Sequence, residues 1–98
     1  MGVVGATASG GHDNLFELGK ISKKFNLFLM IDAAWGGNFT NLEAEKHIID
    51  GVELVDAYCF NPSKFIGSGM DSCILYLRDK KDYYGAFQLD TDSDIALN

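Results

Sequence analysis

Ninety-eight residues bound the chain to one small domain, and 47% apolar with 22% charged residues is a composition that folds. A formal charge of −6 with no basic cluster larger than Lys23-Lys24 or Lys80-Lys81 argues against a nucleic-acid partner. No run approaches the roughly 20 apolar residues of a membrane span, and Met1 lacks the basic start of a signal peptide, so a cytoplasmic chain without a membrane partner is expected.

Val3-Val4 reads as the tail of an apolar strand, followed by the small-residue run Gly5-Ala6-Thr7-Ala8-Ser9-Gly10-Gly11. Such a run suits a loop lying close to a ligand or another backbone, and equally a surface loop. Asn14 with Glu17 has capping-box spacing. Leu15, Leu18, Ile21 and Phe25 then recur with helical period, with Lys20, Lys23 and Lys24 on the other face, predicting an amphipathic helix over residues 14–25. Leu27-Phe28-Leu29-Met30-Ile31 is a continuous apolar run, as in a strand buried on both faces of a parallel sheet. It stops at Asp32.

Thr40 and Glu43 form a second capping-box pattern, opening a short helix that Gly51 terminates, with Leu42, Ile48, Ile49 and Val52 on its buried side. A strand over Val55–Phe60 runs into Asn61-Pro62, where proline ends the ladder. Gly67-Ser68-Gly69 marks a turn, and residues 72–77 form a further strand on so short a connection that it should run antiparallel or lie elsewhere in the sheet. The result is an α/β layer: a mostly parallel sheet with helical crossovers and one reversed strand. Residues 1–89 form the domain. Beyond Arg78 aspartates accumulate and a loose, solvated end is expected, with 90–98 an acidic, disordered tail. Phe16, Phe25, Phe28 and Phe60 read as core, and Cys59 and Cys73, far apart in apolar runs, as two buried reduced thiols.

Asp32 and Lys64 each lie where the chain leaves a strand, the place where open α/β sheets carry their chemistry. A carboxylate there needs a cation or a donor, so Asp32 is either a structural cap or ion pair, or the partner of a cationic ligand. Ala33-Ala34 leave room for a flat ligand, and Gly36-Gly37 let the backbone turn sharply. Most lysines are solvated charges. Lys64, in an uncharged stretch behind a proline-fixed turn, is expected to be partly buried, which would make its amine a better Schiff-base nucleophile. His12 and His47 carry no site assignment, and no zinc spacing, Walker loop or dinucleotide fingerprint is present.

Residues 26–37 (NLFLMIDAAWGG), 47–65 (HIIDGVELVDAYCFNPSKF) and 70–80 (MDSCILYLRDK) together resemble the central part of the group II pyridoxal-phosphate-dependent amino-acid decarboxylases, most closely the aromatic-L-amino-acid branch. The resemblance runs from Val3 to about Leu89 and rests on DAAWGG and NPxK in order and spacing. It implies the large domain of a fold type I pyridoxal-phosphate enzyme, decarboxylation of an aromatic or related L-amino acid to its amine, and a homodimer. It also implies roles: Lys64 as the lysine that binds the cofactor aldehyde, and Asp32 as the partner of the pyridinium nitrogen. Ala34 would pack against one ring face and Asn61 would lie near the cofactor phosphate. Three positions depart from the pattern: Ser63 and Met30 stand where the family usually has histidine, and Ala6 where it usually has threonine. The family's chains are several times longer, with a phosphate loop and a second ring-stacking residue that have no counterpart here. The chain is therefore expected to be a fragment, or a catalytically inactive remnant acting at most as an interaction module. A small α/β binding module with structural Asp32 and Lys64 is the third reading.

Overall fold

The computed structural model describes residues 1–70 and 72–87. Four strands, β1 (Gly2–Val3), β2 (Met30–Asp32), β3 (Ala57–Phe60) and β4 (Ile74–Leu77), lie in the order β1-β2-β3-β4. β1 pairs parallel to β2 and β2 parallel to β3, while β4 runs antiparallel to β3. That is the expected mostly parallel layer with one reversed strand. Helix α1 (Leu15–Phe25) makes the first crossover, and three short 3-10 turns (Gly36–Phe39, Glu43–Ile49 and Val52–Leu54) make the second.

α1 starts where its sequence says it should. The Asn14 side chain accepts from the Glu17 backbone N–H at 3.0 Å, and Asn26 closes the helix in the left-handed conformation. Asn14→Ala is expected to cost about 1 kcal/mol, read as a lower denaturation midpoint with an unchanged slope. The buried face differs from the periodic one: Leu15, Gly19 and Ser22 are buried, whereas Ile21 and Phe25 are exposed. The cause is Gly19, which lets Leu54 close on the helix so tightly that a Cβ there would sit 2.5 Å from it. That rotates the packed stripe away from Ile21.

The core gathers Val4, Leu15, Leu29, Ile31, Ala33, Ile48 and Val55 on one face of the sheet, with Leu18, Val52, Tyr58 and Phe60 packed against it. Several expectations need correction. The apolar run before Asp32 is not a doubly buried strand, because Leu27 and Phe28 are 58% and 55% exposed and pairing begins only at Met30. The strand start is set by Asp56, whose carboxylate accepts from the Leu29 N–H at 2.8 Å and faces Lys23 and Arg78. Phe16 and Phe25 are likewise exposed rather than core.

Thr40 caps nothing downstream; its hydroxyl donates back to the Gly37 carbonyl, and the following turn is 3-10 with Leu42 exposed. Gly51 does end that turn, at φ +97°. After Arg78 the chain does not loosen at once: Asp79 accepts from the Lys81 N–H and opens helix α2 (Lys80–Phe87). The expected acidic tail, 90–98, lies outside the described residues.

Candidate functional site

Strand alternation divides β2 and β3 between two faces. Ile31 and Tyr58 are paired in register and pack with the core, so the next pair, Asp32 and Cys59, points to the opposite face. Asp32 is the last residue of β2, and its strand is held at this end by the Val4 N–H to Asp32 carbonyl bond (2.9 Å) and the Ala33 N–H to Cys59 carbonyl bond (2.8 Å).

The four residues singled out in the sequence are joined by one run of hydrogen bonds. The Asp32 Oδ1 accepts from the Ala34 N–H at 3.0 Å, the Ala34 carbonyl accepts from the Asn61 N–H at 3.2 Å, and the Asn61 carbonyl accepts from the Lys64 N–H at 3.1 Å. Two strand exits thirty residues apart in sequence are thus stitched into one surface. Pro62 starts the 3-10 turn Pro62–Lys64 that ends the run, which is where its fixed φ and missing N–H cost nothing. Asp32, Ala34 and Asn61 are half-buried and Lys64 is exposed. The expected partial burial of Lys64 is therefore not found: a single turn beyond the sheet edge carries it clear of the packed layer.

Two features hold this surface that the sequence did not announce. The first is an aromatic triangle, Trp35, Phe39 and Phe65, with ring centroids 4.7–5.6 Å apart; it pins the lysine-bearing turn to the exit of β2, with each pair adding about 0.5–1.5 kcal/mol beyond its burial. The second is glycine as a spacer. Gly36 and Gly37 do not adopt positive φ, so their use is not a sharp turn. A Cβ on Gly36 would lie 2.4 Å from the Val4 carbonyl oxygen, and one on Gly37 would lie 2.7 Å from Phe60. Gly5, at φ +78°, approaches Gly36 and Trp35 equally closely, so the small-residue loop does lie against another backbone, as one of its readings had it.

Electrostatically the site is mixed. The Cys59 thiol is pushed up to about 11 by its burial, by the hydrogen bond and charge of Cys73, and by Asp32, with Lys64 pulling it the other way. Both Asp32 and Lys64 therefore act on the same sulfur. Burial also raises the Tyr58 phenol to about 12 from 10.0. The folded state keeps that proton between pH 10 and 12 while the unfolded chain gives it up. Stability is then expected to fall across that interval, by at most about 1.4 kcal/mol per pH unit, and Tyr58→Phe should flatten this slope in denaturation series at stepped pH.

The cysteines are not the separate buried pair expected. Cys59 is half-buried, Cys73 is exposed, and their sulfurs are 3.4 Å apart and unbonded, because the β3–β4 register brings the residue just before β4 diagonally across from Cys59. His12 and His47 meet edge to face at 6.2 Å, in a cleft of about 500 Å³ whose walls include Asp13 and Asp50 but neither Asp32 nor Lys64. Among the described residues no cluster of three or more His, Cys, Asp and Glu is placed to hold a metal ion, and no helix is long and apolar enough to cross a membrane.

The family model described as the pyridoxal-dependent decarboxylase conserved domain matches residues 1–93. The chain is 40% identical over 77 residues to 4-hydroxyphenylacetaldehyde synthase of Rhodiola rosea, covering 79% of this chain and 16% of that one. The crystal structure of that synthase superposes with a TM-score of 0.86, at 36% identity over 89% of this chain and 19% of that one. Bovine (Bos taurus) aromatic-L-amino-acid decarboxylase is 34% identical over 87 residues, covering 89% of this chain and 18% of its own. Human cysteine sulfinic acid decarboxylase is 31% identical over 103 residues, covering 96% and 21%. The chain thus spans about a fifth or less of the length of these relatives.

Proposed function

Because the chain belongs to the pyridoxal-dependent decarboxylase family, we propose that its exposed sheet end is the cofactor-facing part of an amino-acid decarboxylase. In this reading Lys64 is the catalytic residue that attaches pyridoxal 5'-phosphate, Asp32 pairs with the pyridine nitrogen, Ala34 lies against the ring, and Asn61 lies toward the phosphate. The observation that carries it is the hydrogen-bond run Asp32–Ala34–Asn61–Lys64, which joins the Asp32 carboxylate to the Lys64 backbone across two strand exits.

The residues present fit the group. Asp32 has one carboxylate oxygen oriented by the Ala34 N–H, so the acid is fixed before a cationic nitrogen arrives, as pre-organised sites require. Ala33, Ala34, Gly36 and Gly37 are small, and the one large side chain among them, Trp35, packs on Phe39 and Phe65. When bound, pyridoxal phosphate supplies an electron sink that accepts the electron pair left behind as a carboxylate departs as carbon dioxide. The chain's own contributions are to keep the ring nitrogen protonated through Asp32, to offer the Lys64 amine as covalent anchor and proton carrier, and to hold the two strand exits together through the Ala34–Asn61–Lys64 backbone bonds.

The substrate we infer is an aromatic or related L-amino acid; the support is the identity to the Bos taurus aromatic-L-amino-acid decarboxylase, with the human relative widening the class to a sulfinate amino acid. A cytoplasmic homodimer is proposed with it on the motif resemblance alone. A second reading, a non-catalytic remnant, is favoured by the exposure of Lys64 and by Ser63, Met30 and Ala6. Reduction with borohydride in the presence of pyridoxal phosphate tests the site, and carbon dioxide release from DOPA, tyrosine, histidine and cysteine sulfinate tests the activity. An adduct concentrated on Lys64 supports the cofactor assignment, and one spread over all lysines overturns it. Release from none of the four substrates by a chain that carries the adduct favours the remnant.

A further inference from the structure

The cofactor reading leaves the two thiols unused, yet their placement is the most specific juxtaposition on this face. Cys59 lies beside Asp32 in the β2–β3 register, Cys73 immediately precedes β4, and the segment between them carries Asn61, Pro62, Ser63 and Lys64. The sulfurs are 3.4 Å apart, and Cys73 is open to solvent while Cys59 is half-buried. We propose that Cys59 and Cys73 form a reversible modification site, a dithiol that closes into an intrachain disulfide on exchange with a small-molecule disulfide of the glutathione class and thereby tethers the Lys64 segment at both ends.

The exchange has two steps. The Cys73 thiolate, its proton lost to solvent, attacks one sulfur of the small disulfide and expels one small thiolate. The Cys59 thiol then loses its proton to solvent, and its sulfur attacks the Cys73 sulfur, expelling the second small thiolate. Two protein thiols are oxidised to one disulfide and one small disulfide is reduced to two thiols. Exposure selects Cys73 for the first step. Once Cys73 carries the adduct, its hydrogen bond and charge no longer hold the Cys59 proton in place, leaving burial and Asp32 to oppose ionisation of Cys59. The ring that closes contains the one-turn helix bearing Lys64 and the two positive-φ glycines Gly67 and Gly69. A covalent link across the ends of this segment adds to the Ser63 Oγ to Ser72 carbonyl bond and the Phe65 ring contacts that already restrain the turn.

The consequence for lysine chemistry rests on the cofactor reading above; the disulfide itself does not. The full chain is titrated with oxidised glutathione, quenched with acid, and weighed intact. Wild type is expected to lose two hydrogens and yield a Cys59–Cys73 cross-linked peptide, whereas Cys59→Ser retains a glutathione adduct on Cys73. Because any chain with two cysteines can cyclise, the same titration is run in urea. The folded chain should close with an effective concentration at least about tenfold higher. Tryptic cleavage after Lys64 should slow on oxidation while cleavage after Lys46 does not. A wild type that stops at the mixed disulfide, an interchain Cys73 dimer, an equal closure in urea, or unchanged cleavage after Lys64 would each overturn the proposal. None of these readouts involves pyridoxal phosphate, so its failure is distinct from failure of the decarboxylase reading.

Discussion

Lys64→Ala is expected to remove the dominant pyridoxal-phosphate adduct from the chain and to reduce carbon dioxide release to background wherever the parent protein supports it. The expectation follows from the placement of Lys64 and from what four of the other six lysines are doing. Lys20 pairs with Glu17 at 2.8 Å and Lys46 with Glu43 at 2.5 Å, Lys23 faces Asp56, and Lys24 lies over the ring of Phe25, while Lys80 and Lys81 stand on helix α2, away from the strand exits. These surface pairs are weak, but each gives its ammonium a carboxylate or ring neighbour that must be given up before the amine can attack. Lys64 instead rises from a turn whose backbone is bonded to Asn61 and, through Ala34, to the Asp32 carboxylate. Fixing the turn limits where its amine can reach, which favours a local reaction with a ring held at Asp32. Peptide mapping after borohydride reduction measures the adduct residue by residue. A Lys64→Ala chain that accumulates as much adduct as the parent would sink the assignment of Lys64.

The second large effect is on stability. Gly36→Ala is expected to cost about 1–3 kcal/mol or more, seen as a lower midpoint in urea denaturation. The new Cβ would meet the Val4 carbonyl oxygen at 2.4 Å, its carbonyl carbon at 2.8 Å and the Gly5 nitrogen at 2.9 Å. All three are backbone atoms, which cannot rotate aside as the end of a side chain can. Relief requires moving β1 away from β2, and β1 is held there by the Val4 N–H to Asp32 bond and by Val4 itself, which is fully buried. The damage therefore reaches the carboxylate: displacing Val4 loosens the end of β2 that aims Asp32. Gly85→Ala is the control, since a Cβ there meets nothing within 4 Å in helix α2, and it should leave stability unchanged or raise it by about 0.5–1 kcal/mol. Equal midpoints for the Gly36 variant and the parent would show that this approach is looser than the packing implies.

The parts of the molecule that were legible in the sequence share one property: their causes are local. Asn14 and Glu17 are three residues apart, so the cap of α1 needs no partner from elsewhere. Pro62 ends β3 through its own missing donor, and the short link from Lys64 to Ile74 pointed to an antiparallel β4 or one elsewhere in the sheet, of which the structure takes the first. The four site positions were named from Asp32, Ala34, Asn61 and Lys64 as motif letters, and the fold brings all four together through three backbone-directed bonds.

Where the reading went astray, a distant residue had decided the outcome. Helical period placed Ile21 and Phe25 in the core, but Leu54 closes on Gly19 and turns the packed stripe elsewhere. The apolar run Leu27-Phe28 looked like the start of a strand, but Asp56 takes the Leu29 N–H and sets the start of pairing at Met30. Thr40 had capping-box spacing, yet its hydroxyl found the Gly37 carbonyl first.

By itself, then, the sequence determined the lineage, a mostly parallel layer with one reversed strand, and which acid and which amine stand at the strand exits, because spacing, caps and turn residues act over a few residues. Only the tertiary structure decided that Lys64 stands exposed beyond the sheet edge, that Gly36 and Gly37 serve as contact surfaces rather than turns, and that Cys59 and Cys73 meet at 3.4 Å. Each of those depends on strand register and on how closely two backbones approach, quantities that arise from packing between segments far apart in the chain.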